Sequence, residues 1–206
     1  MKENILVPGA GGFAAINVIK SLRKTNFNGK IITTDSNSLS AGFYLSDSYY
    51  VLPRIDDVNF MDKAYEVIFK EKINLIIPTS GFDIIPYSKN KKELEKKGVS
   101  CFFSDYETIE LCNNKYKFYE KIKGNFPIPY FTLSFDEVNK FPVFVKPIKG
   151  KGSRNVYLCN SKDELDYVLN KHSDMLLCEY LPGREYTIDV LSDMNGVPIC
   201  DAKITE

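Results

Sequence analysis

The first hundred residues alternate short apolar runs with longer amphipathic segments, and this alternation restricts the fold more than any other feature of the chain. Asn4–Val7, Lys30–Thr34 and Asn74–Ile77 have the length and apolar character of buried strands. Helical periodicity follows the first of them over Phe13–Leu22. Strands that alternate with helices predict a parallel sheet built from βαβ units. We therefore expect an α/β domain with a parallel sheet in residues 1–107.

The pattern changes from residue 108, where Ile109–Lys123 is helical and charged. From Phe141 onward, apolar segments are separated by glycine-rich turns. Strands are predicted at Pro142–Lys146, Met175–Tyr180 and Glu185–Ser192, with a single helix at Lys162–Leu169 between them. This arrangement is typical of an α+β domain with a mainly antiparallel sheet. We place this second domain at residues 108–206.

The charge balance and the cysteine content exclude several classes of protein. The 206 residues carry 27 Lys and Arg against 27 Asp and Glu, which argues against a partner bound by bulk charge, such as nucleic acid or an acidic membrane. No apolar run approaches the about 20 residues of a membrane span. The five cysteines form no CxxC pair, which is typical of reduced thiols in a cytoplasmic protein. The oligomeric state stays open, and a homodimer is compatible with the sequence.

The segment Gly9–Ala14 follows the first predicted strand and precedes the first predicted helix. Gly9, Gly11 and Ala14 match the GxGxxA pattern of a dinucleotide-binding turn. Asp35 ends the next strand, where a ribose-binding acid would lie. The same glycines equally suit a tight turn with close helix packing and no cofactor.

A second glycine-rich segment, residues 140–154, holds five cations and no carboxylate. The cations are Lys140, Lys146, Lys149, Lys151 and Arg154. Lys146 ends an apolar strand shortly before a loop in which Gly150, Gly152 and Ser153 offer amides and a hydroxyl group. Ammonium groups next to such a loop are suited to binding a polyphosphate. The alternative is a solvated basic hairpin, and the GxxxxGK[ST] pattern of a Walker A loop is absent.

A third segment of interest begins at Glu179, which ends an apolar strand. The Pro182-Gly183 turn then reverses the chain, and Glu185 follows. Main-chain groups at such a bend can meet the edge of an adenine, and the later carboxylate can accept from ribose hydroxyls. An ordinary β-hairpin with exposed charges explains the same residues.

Taken in order along the chain, these segments resemble the ATP-grasp superfamily, most closely the carbamoyl-phosphate-synthase-like and related carboxylate–amine ligases. The resemblance extends over nearly the whole chain. The segments that carry it are the glycine turn, Cys112-Asn113-Asn114-Lys115, Pro127-Ile128-Pro129, Pro142–Arg154 and Glu179–Glu185. It implies a Rossmann-like pre-ATP-grasp domain with a parallel sheet, followed by an α+β ATP-grasp subdomain and the start of a second, which is truncated.

The resemblance also implies which residues bind ATP. By this likeness Lys115 and Lys146 bind the phosphates, the loop that closes over them contributes Lys149, Gly150, Gly152, Ser153 and Arg154, Glu179 and Leu181 meet the adenine, and Glu185 holds the ribose. Asn114 stands where the family usually has an aspartate. The Mg²⁺-binding acid and asparagine of the family would lie beyond Glu206, together with the catalytic residues. We therefore expect residues 1–206 to be the N-terminal portion of a longer enzyme, inactive by itself.

The activity that the resemblance implies is the activation of a carboxylate or bicarbonate as an acyl phosphate, which an amine then attacks. ATP and Mg²⁺ would be the cofactors, and small-molecule carboxylates and amines the substrates. In the pre-ATP-grasp domain, Gly11, Gly12, Ser80 and Asp83 are the candidates for binding the acceptor.

Two other functions remain open. An NAD(P)-dependent reductase or epimerase would use Gly9–Ala14 and Asp35, and it needs a catalytic Tyr–Lys pair, for which Tyr87 and Lys91 have the spacing. A non-catalytic nucleotide-binding module would need no such pair.

Overall fold

The computed structural model describes residues 3–193, 195–199 and 203–205, and it divides into two compact units, Met1–Asn114 and Lys115–Glu206. Among the described residues, no helix has the length and apolar character that crossing a bilayer would require.

The first unit is a five-stranded parallel sheet with helices between its strands. The strands are β1 (Ile5–Pro8), β2 (Ile31–Asp35), β3 (Ser48–Val51), β4 (Leu75–Ile76) and β5 (Ser100–Cys101). The helices are α1 (Phe13–Arg23), α2 (Phe60–Lys70), α3 (Ile84–Lys89), α4 (Lys91–Lys96) and α5 (Tyr106–Asn113). The strand order is β3-β2-β1-β4-β5, with every pairing parallel. The predicted parallel α/β architecture is confirmed.

Both faces of the sheet are covered at its central strand β1, which explains why Ile5–Pro8 is buried and apolar throughout rather than alternating. In β1, Ile5 and Val7 pack against Ala15 and Ile19 of α1. Leu6, which points to the opposite face, belongs to the larger cluster that includes α2. Each such buried aliphatic side chain stabilises the fold by about 2 kcal/mol.

The strand order places a change of direction at β1, because the chain continues to β2 on one side and reaches β4 on the other. In a doubly wound sheet the carboxyl ends of the strands leave a crevice at such a point. The loops after β1, β2 and β4 therefore border one crevice.

The second unit contains a four-stranded antiparallel sheet and a separate antiparallel pair. The strands are β6 (Phe131–Thr132), β7 (Val143–Pro147), β8 (Tyr157–Cys159), β9 (Met175–Glu179), β10 (Thr187–Asp189) and β11 (Lys203–Thr205). Its helices are α6 (Lys115–Ile122) and α7 (Lys162–Lys171). The sheet order is β6-β9-β7-β8. The predicted α+β arrangement is confirmed.

Helix α7 covers one face of this sheet. Leu165 and Val168 of the helix pack against Val143 and Val145 of β7 and Leu177 of β9. The helix begins at a capping sequence in which the Ser161 hydroxyl accepts a hydrogen bond from the Glu164 N–H group at 3.3 Å. Helix α7 does not cover the opposite face of β7.

Helix α3 ends before Asn90, whose side-chain amide donates to the Pro86 carbonyl at 2.9 Å, and α4 begins after it. The structure differs from the sequence prediction at one helix. The helix expected over Ile109–Lys123 is divided at Asn114, which has an extended backbone. There the Lys115 N–H group donates to the carbonyl of Ile148 at 3.0 Å and so leaves the helical pattern.

Candidate functional site

The sequence predicted Lys146 as a phosphate ligand, and the structure places it at the carboxyl end of β7, on the face away from α7. Its side chain is half-buried rather than in bulk solvent. The ammonium nitrogen donates to the Tyr119 hydroxyl at 2.9 Å and lies 5.0 Å from the centroid of that ring. It also lies 5.8 Å from the ring centroid of Phe144. An aromatic surface therefore fixes this cation in position.

Lys115 is the first residue of α6, and two contacts attach it to the segment after β7. Its main-chain N–H group donates to Ile148, and its ammonium nitrogen donates to the carbonyl of Gly150 at 2.9 Å. Partial burial lowers the pKa of Lys115, and the positive charges of Lys146 and Lys151 lower it further. Three cations thus act on one another here, an arrangement in which an anion relieves the mutual repulsion.

The glycine-rich loop after β7 is exposed along residues 149–155. Gly152, Ser153 and Asn155 have φ values of 67°, 53° and 55°, which is unusual for residues with a side chain. A Cβ atom at Gly152 would have no atom within 4 Å, so the loop is open around it. Lys149, Ser153 and Arg154, predicted as parts of a closing loop, are all exposed on it.

Glu179, predicted to meet the adenine, ends β9 and is linked in both directions to Tyr130. Its N–H group donates to the Tyr130 carbonyl at 2.8 Å, and its carboxylate accepts from the Tyr130 N–H group at 3.2 Å. Glu179 pairs with Val143, so its side chain lies on the α7 face of the sheet. Lys146 projects from the other face. Leu181 and Glu185 lie beyond the strand and are exposed.

A cavity of about 430 Å³ opens on the side of the sheet where Glu179 projects. Its lining includes Tyr130, Thr132, Glu137, Phe141, Val143 and Glu179. Lys146 and Leu181 are not among the described residues that line it. The structure thus brings Lys115, Lys146 and Gly150 together, whereas the Glu179 side chain belongs to a separate depression.

The first unit has its own cavity, of about 420 Å³, in the crevice at the carboxyl ends of β1 and β2. Gly12, Ser80 and Asp83, predicted as acceptor ligands, line it, and Gly11 borders it through a hydrogen bond to Asp35, which is also in the lining. Gly9 has a φ of 74°, and a Cβ atom there would come within 2.7 Å of the Asp83 carboxylate. The positive φ and this close approach together favour glycine at that position.

Sequence analysis missed several residues of this cavity. Arg54, Leu52, Ile55, Phe60 and Phe82 complete its wall. The signal for Arg54 was available, since it lies three residues after the end of β3 and parallel strands present their carboxyl ends at one edge. Phe60 begins α2, and its exposure to the cavity depends on how that helix packs.

No metal site is present in the described part of the chain, where no three His, Cys, Asp or Glu side chains converge. The assignment of Mg²⁺ ligands stays a prediction.

Comparison with known proteins places this geometry in a family. Residues 5–102 match the model of the PylC-like N-terminal domain, and residues 112–204 match the model of an ATP-grasp domain. The chain therefore belongs to the ATP-grasp superfamily, as the sequence motifs had predicted.

Among similar proteins, the carbamoyl phosphate synthase large chain of Clostridium botulinum is 27% identical over 203 residues, which cover 91% of this chain and 18% of that protein. An L-amino acid ligase from Bacillus licheniformis has a TM-score of 0.71 at 17% identity and is matched over 92% of this chain and 47% of its own. The biotin carboxylase domain of a Hydrogenobacter thermophilus 2-oxoglutarate carboxylase, in complex with MgADP and bicarbonate, has a TM-score of 0.67 at 19% identity, with coverages of 87% and 44%. The two solved structures share the fold. The chain spans less than half the length of each of these three proteins.

Proposed function

We propose that this chain is the ATP-binding portion of an ATP-dependent carboxylate–amine ligase. In such an enzyme a carboxylate or bicarbonate oxygen takes the terminal phosphoryl group of ATP with release of ADP, and an amine then attacks the acyl carbon and displaces phosphate. The observation that carries this proposal is that the ammonium group of Lys115, which contacts the Gly150 carbonyl, is close enough to Lys146 for the two positive charges to interact.

The residues of the second unit fit the triphosphate of ATP. Lys146 is held by Tyr119, so little side-chain freedom is lost when it binds an anion. Burial lowers the pKa of Lys115 and the positive charges of Lys146 and Lys151 lower it further, and a bound phosphate would neutralise that neighbouring charge. Lys149, Gly150, Gly152, Ser153 and Arg154 supply further donors from an open loop, which can shut water out of the site when it closes.

The adenosine half of ATP is assigned to Glu179, Leu181 and Glu185. The bend after β9 exposes the main chain at Leu181, which suits recognition of a planar base edge by backbone groups. Because Glu179 already accepts from the Tyr130 N–H group, we assign its adenine contact to the main chain. Glu185 is exposed and so is accessible to a ribose.

Mg²⁺ would supply charge neutralisation at the phosphates, and its ligands are predicted outside the described residues. The acceptor would bind at Gly11, Gly12, Ser80 and Asp83 in the first unit. The homodimer and the cytoplasmic location also stay predictions. So does the inactivity of residues 1–206 by themselves.

Two observations disfavour the dinucleotide alternative. The Asp35 carboxylate, predicted for a ribose, accepts a hydrogen bond from the Gly11 N–H group at 2.8 Å and places negative charge where a pyrophosphate would approach. Tyr87 is fully buried, and burial raises the pKa of its hydroxyl, whereas a catalytic tyrosine must reach its substrate. Lys91, its partner by spacing, is engaged with Phe103 and Asp105.

Calorimetric titration with a non-hydrolysable ATP analogue tests the proposal. We expect Lys146→Ala to weaken binding about tenfold or more, because a charge-assisted contact of about 1.5–3 kcal/mol is lost. Lys171→Ala, which changes an exposed lysine on α7, is the matched control and should bind like the unchanged chain. Equal affinities of the two variants, or tighter binding of NADH than of the ATP analogue, would contradict the proposed function.

A further inference from the structure

The glycine turn of the first unit differs from a phosphate-binding turn in how its N–H groups are used. Those of Gly9 and Ala10 both donate to the carbonyl of Thr34, at 2.9 and 3.1 Å. That of Gly11 donates to the Asp35 carboxylate, and that of Gly12 donates to the carbonyl of Gly9 at 3.0 Å. The amides of this turn are therefore engaged inside the protein.

Negative charge lies on both sides of the turn. The Oδ2 atom of Asp35 lies 3.3 Å from the position that a Cβ atom would occupy at Gly11. On the other side, Oδ2 of Asp83 lies 2.7 Å from the corresponding position at Gly9. Both carboxylates line the 420 Å³ cavity.

The described residues that line this cavity carry little positive charge, and that charge lies on an exposed side chain. Among the described residues that line it, Arg54 is the only cation, and its side chain is 77% exposed and paired with Asp56 at 3.3 Å. The cavity as a whole thus has an excess of negative charge. A phosphate or a second carboxylate would be repelled at its glycine end.

A buried hydroxyl group adds a second, independent feature. Tyr87 is fully buried, and its hydroxyl has no hydrogen-bond partner in the described part of the chain. The residues that act on its pKa are Asp83, whose charge adds to the effect of burial, and Thr34, which lies close without completing a hydrogen bond of acceptable geometry. Both line the cavity, so an unsatisfied polar group lies directly behind its wall.

The remaining wall of the cavity is apolar. Leu52, Ile55, Phe60 and Phe82 line it opposite the glycine turn. A pocket with carboxylates at one end and aliphatic and aromatic side chains at the other suits a ligand that carries an ammonium group on an apolar body.

We propose that this cavity binds an amine-bearing substrate through its ammonium group, between Asp35 and Asp83, and excludes phosphorylated substrates. The assignment rests on the proposed function, since it identifies the class of molecule that the ligase receives at its first unit. Asp83 is the residue to test first, because its carboxylate lies beside Gly9 and lines the cavity.

The test is a set of titrations of the ¹⁵N-labelled chain followed by its amide resonances. The probes are L-leucinamide, which carries an ammonium group and no carboxylate, N-acetyl-L-leucinamide, which lacks the ammonium group, and inorganic phosphate. We expect L-leucinamide to shift the resonances of Gly9, Gly11 and Gly12 saturably, and neither other probe to do so. Asp83→Asn should weaken L-leucinamide binding about fivefold, as expected for the loss of one partly exposed ionic contact. Asp62→Asn, an exposed aspartate of α2, is the control and should leave it unchanged.

The comparison of the three probes on the unchanged chain does not depend on any variant folding. Saturable shifts with phosphate, or no shifts with L-leucinamide, would overturn the inference. The ATP titration with Lys146→Ala is a separate measurement on the second unit. Loss of amine binding with ATP binding retained would remove this inference alone, and loss of ATP binding with amine binding retained would remove the proposed function instead.

Discussion

The Lys115 ammonium group donates a hydrogen bond to the main-chain carbonyl of Gly150 at 2.9 Å, which attaches the first residue of α6 to the glycine-rich loop. The same ammonium group is the predicted ligand of a phosphate. An incoming anion and the Gly150 carbonyl therefore compete for, or share, one donor. The lysine has a role in the chain without nucleotide, which is to hold one end of an otherwise open loop.

Lys115→Ala should therefore loosen this loop. With the contact to Gly150 removed, we expect hydrogen exchange of the amides at 150–155 to become about fivefold faster, as for the loss of a hydrogen bond of about 1 kcal/mol. Exchange followed by mass spectrometry measures the effect. Lys121→Ala changes an exposed lysine on the same helix and should leave exchange in the loop unaltered. Equal protection in both variants would show that the contact does not restrain the loop.

The lowered pKa of Lys115 makes stability depend on pH in the alkaline range. Burial, Lys146 and Lys151 all disfavour its charged form in the folded chain, so its pKa lies below the usual 10.5 that applies after unfolding. Between these two values the unfolded chain binds more protons, and the contribution of this group to stability rises with pH. The free energy of unfolding of the unchanged chain should thus improve relative to that of Lys115→Met as the pH approaches 10.5.

Denaturant unfolding of both proteins at a series of alkaline pH values checks this expectation. Subtracting the unfolding free energy of one protein from that of the other cancels the contributions of the other lysines and tyrosines, which both proteins share. A difference that falls as the pH rises would mean that Lys115 gains more from a partner than it loses by burial and repulsion.

Regular parts of the fold could be predicted from sequence because local pattern decides them. The apolar run of β1 has no polar residue that would favour another structure, and Gly9 permits the positive φ that the following turn requires. The break at Asn114 between α5 and α6 could not be predicted from the sequence. It depends on the hydrogen bond from the Lys115 N–H group to Ile148, a partner that only the folded second unit brings into reach.

The candidate site shows the same limit. The position of Lys146 at the end of β7 was predictable, because a lysine at the end of an apolar strand is unusual and stands out in the sequence. Tyr119, which holds its ammonium group, lies on a helix that is distant in sequence and carries no signal of its own. The face of the sheet on which Glu179 projects follows from its pairing with Val143. The sequence does not show this register, because it depends on how the strands pair in the folded chain.

The pair Arg23 and Asp47 should make the first unit sensitive to acid. Burial would raise the pKa of Asp47, but the hydrogen bonds from Arg23 and from the Ile31 N–H group, at 2.8 and 2.7 Å, outweigh it and lower the pKa below its usual 3.8. The stability that this group contributes is complete above 3.8 and is lost as the pH falls through the lower folded value. Asp47→Asn should cost about 1 kcal/mol at neutral pH and little in strong acid.

Urea unfolding at neutral and acidic pH measures the destabilisation by Asp47→Asn under each condition. Asparagine can still accept from the Ile31 N–H group, so the substitution removes mainly the charge. Arg23→Met removes the partner and should abolish most of the pH dependence that Asp47→Asn abolishes. An unfolding free energy of Asp47→Asn that stays below that of the unchanged chain by the same amount in acid would point to packing rather than charge.

The main chain at Leu181, rather than the side chain of Glu179, should determine the affinity for adenine. Leu181→Pro removes the N–H group that would meet the base, and we expect binding of the ATP analogue to weaken about tenfold, the equivalent of one hydrogen bond of about 1.4 kcal/mol. Glu179→Gln should change the affinity by less than about threefold, because the carboxylate is engaged with the Tyr130 N–H group and an amide oxygen can accept the same bond. Calorimetry measures both variants.

Leu181→Ala is the control, since it shortens an exposed side chain and keeps the N–H group. If it weakens binding as much as Leu181→Pro does, the side chain makes the contact and the backbone does not. A large effect of Glu179→Gln with none at Leu181 would transfer recognition of the base to the carboxylate. That outcome would also assign the base to the cavity bordered by Tyr130 and Val143, on the α7 face of the sheet, and so separate it from the lysines that we propose as phosphate ligands.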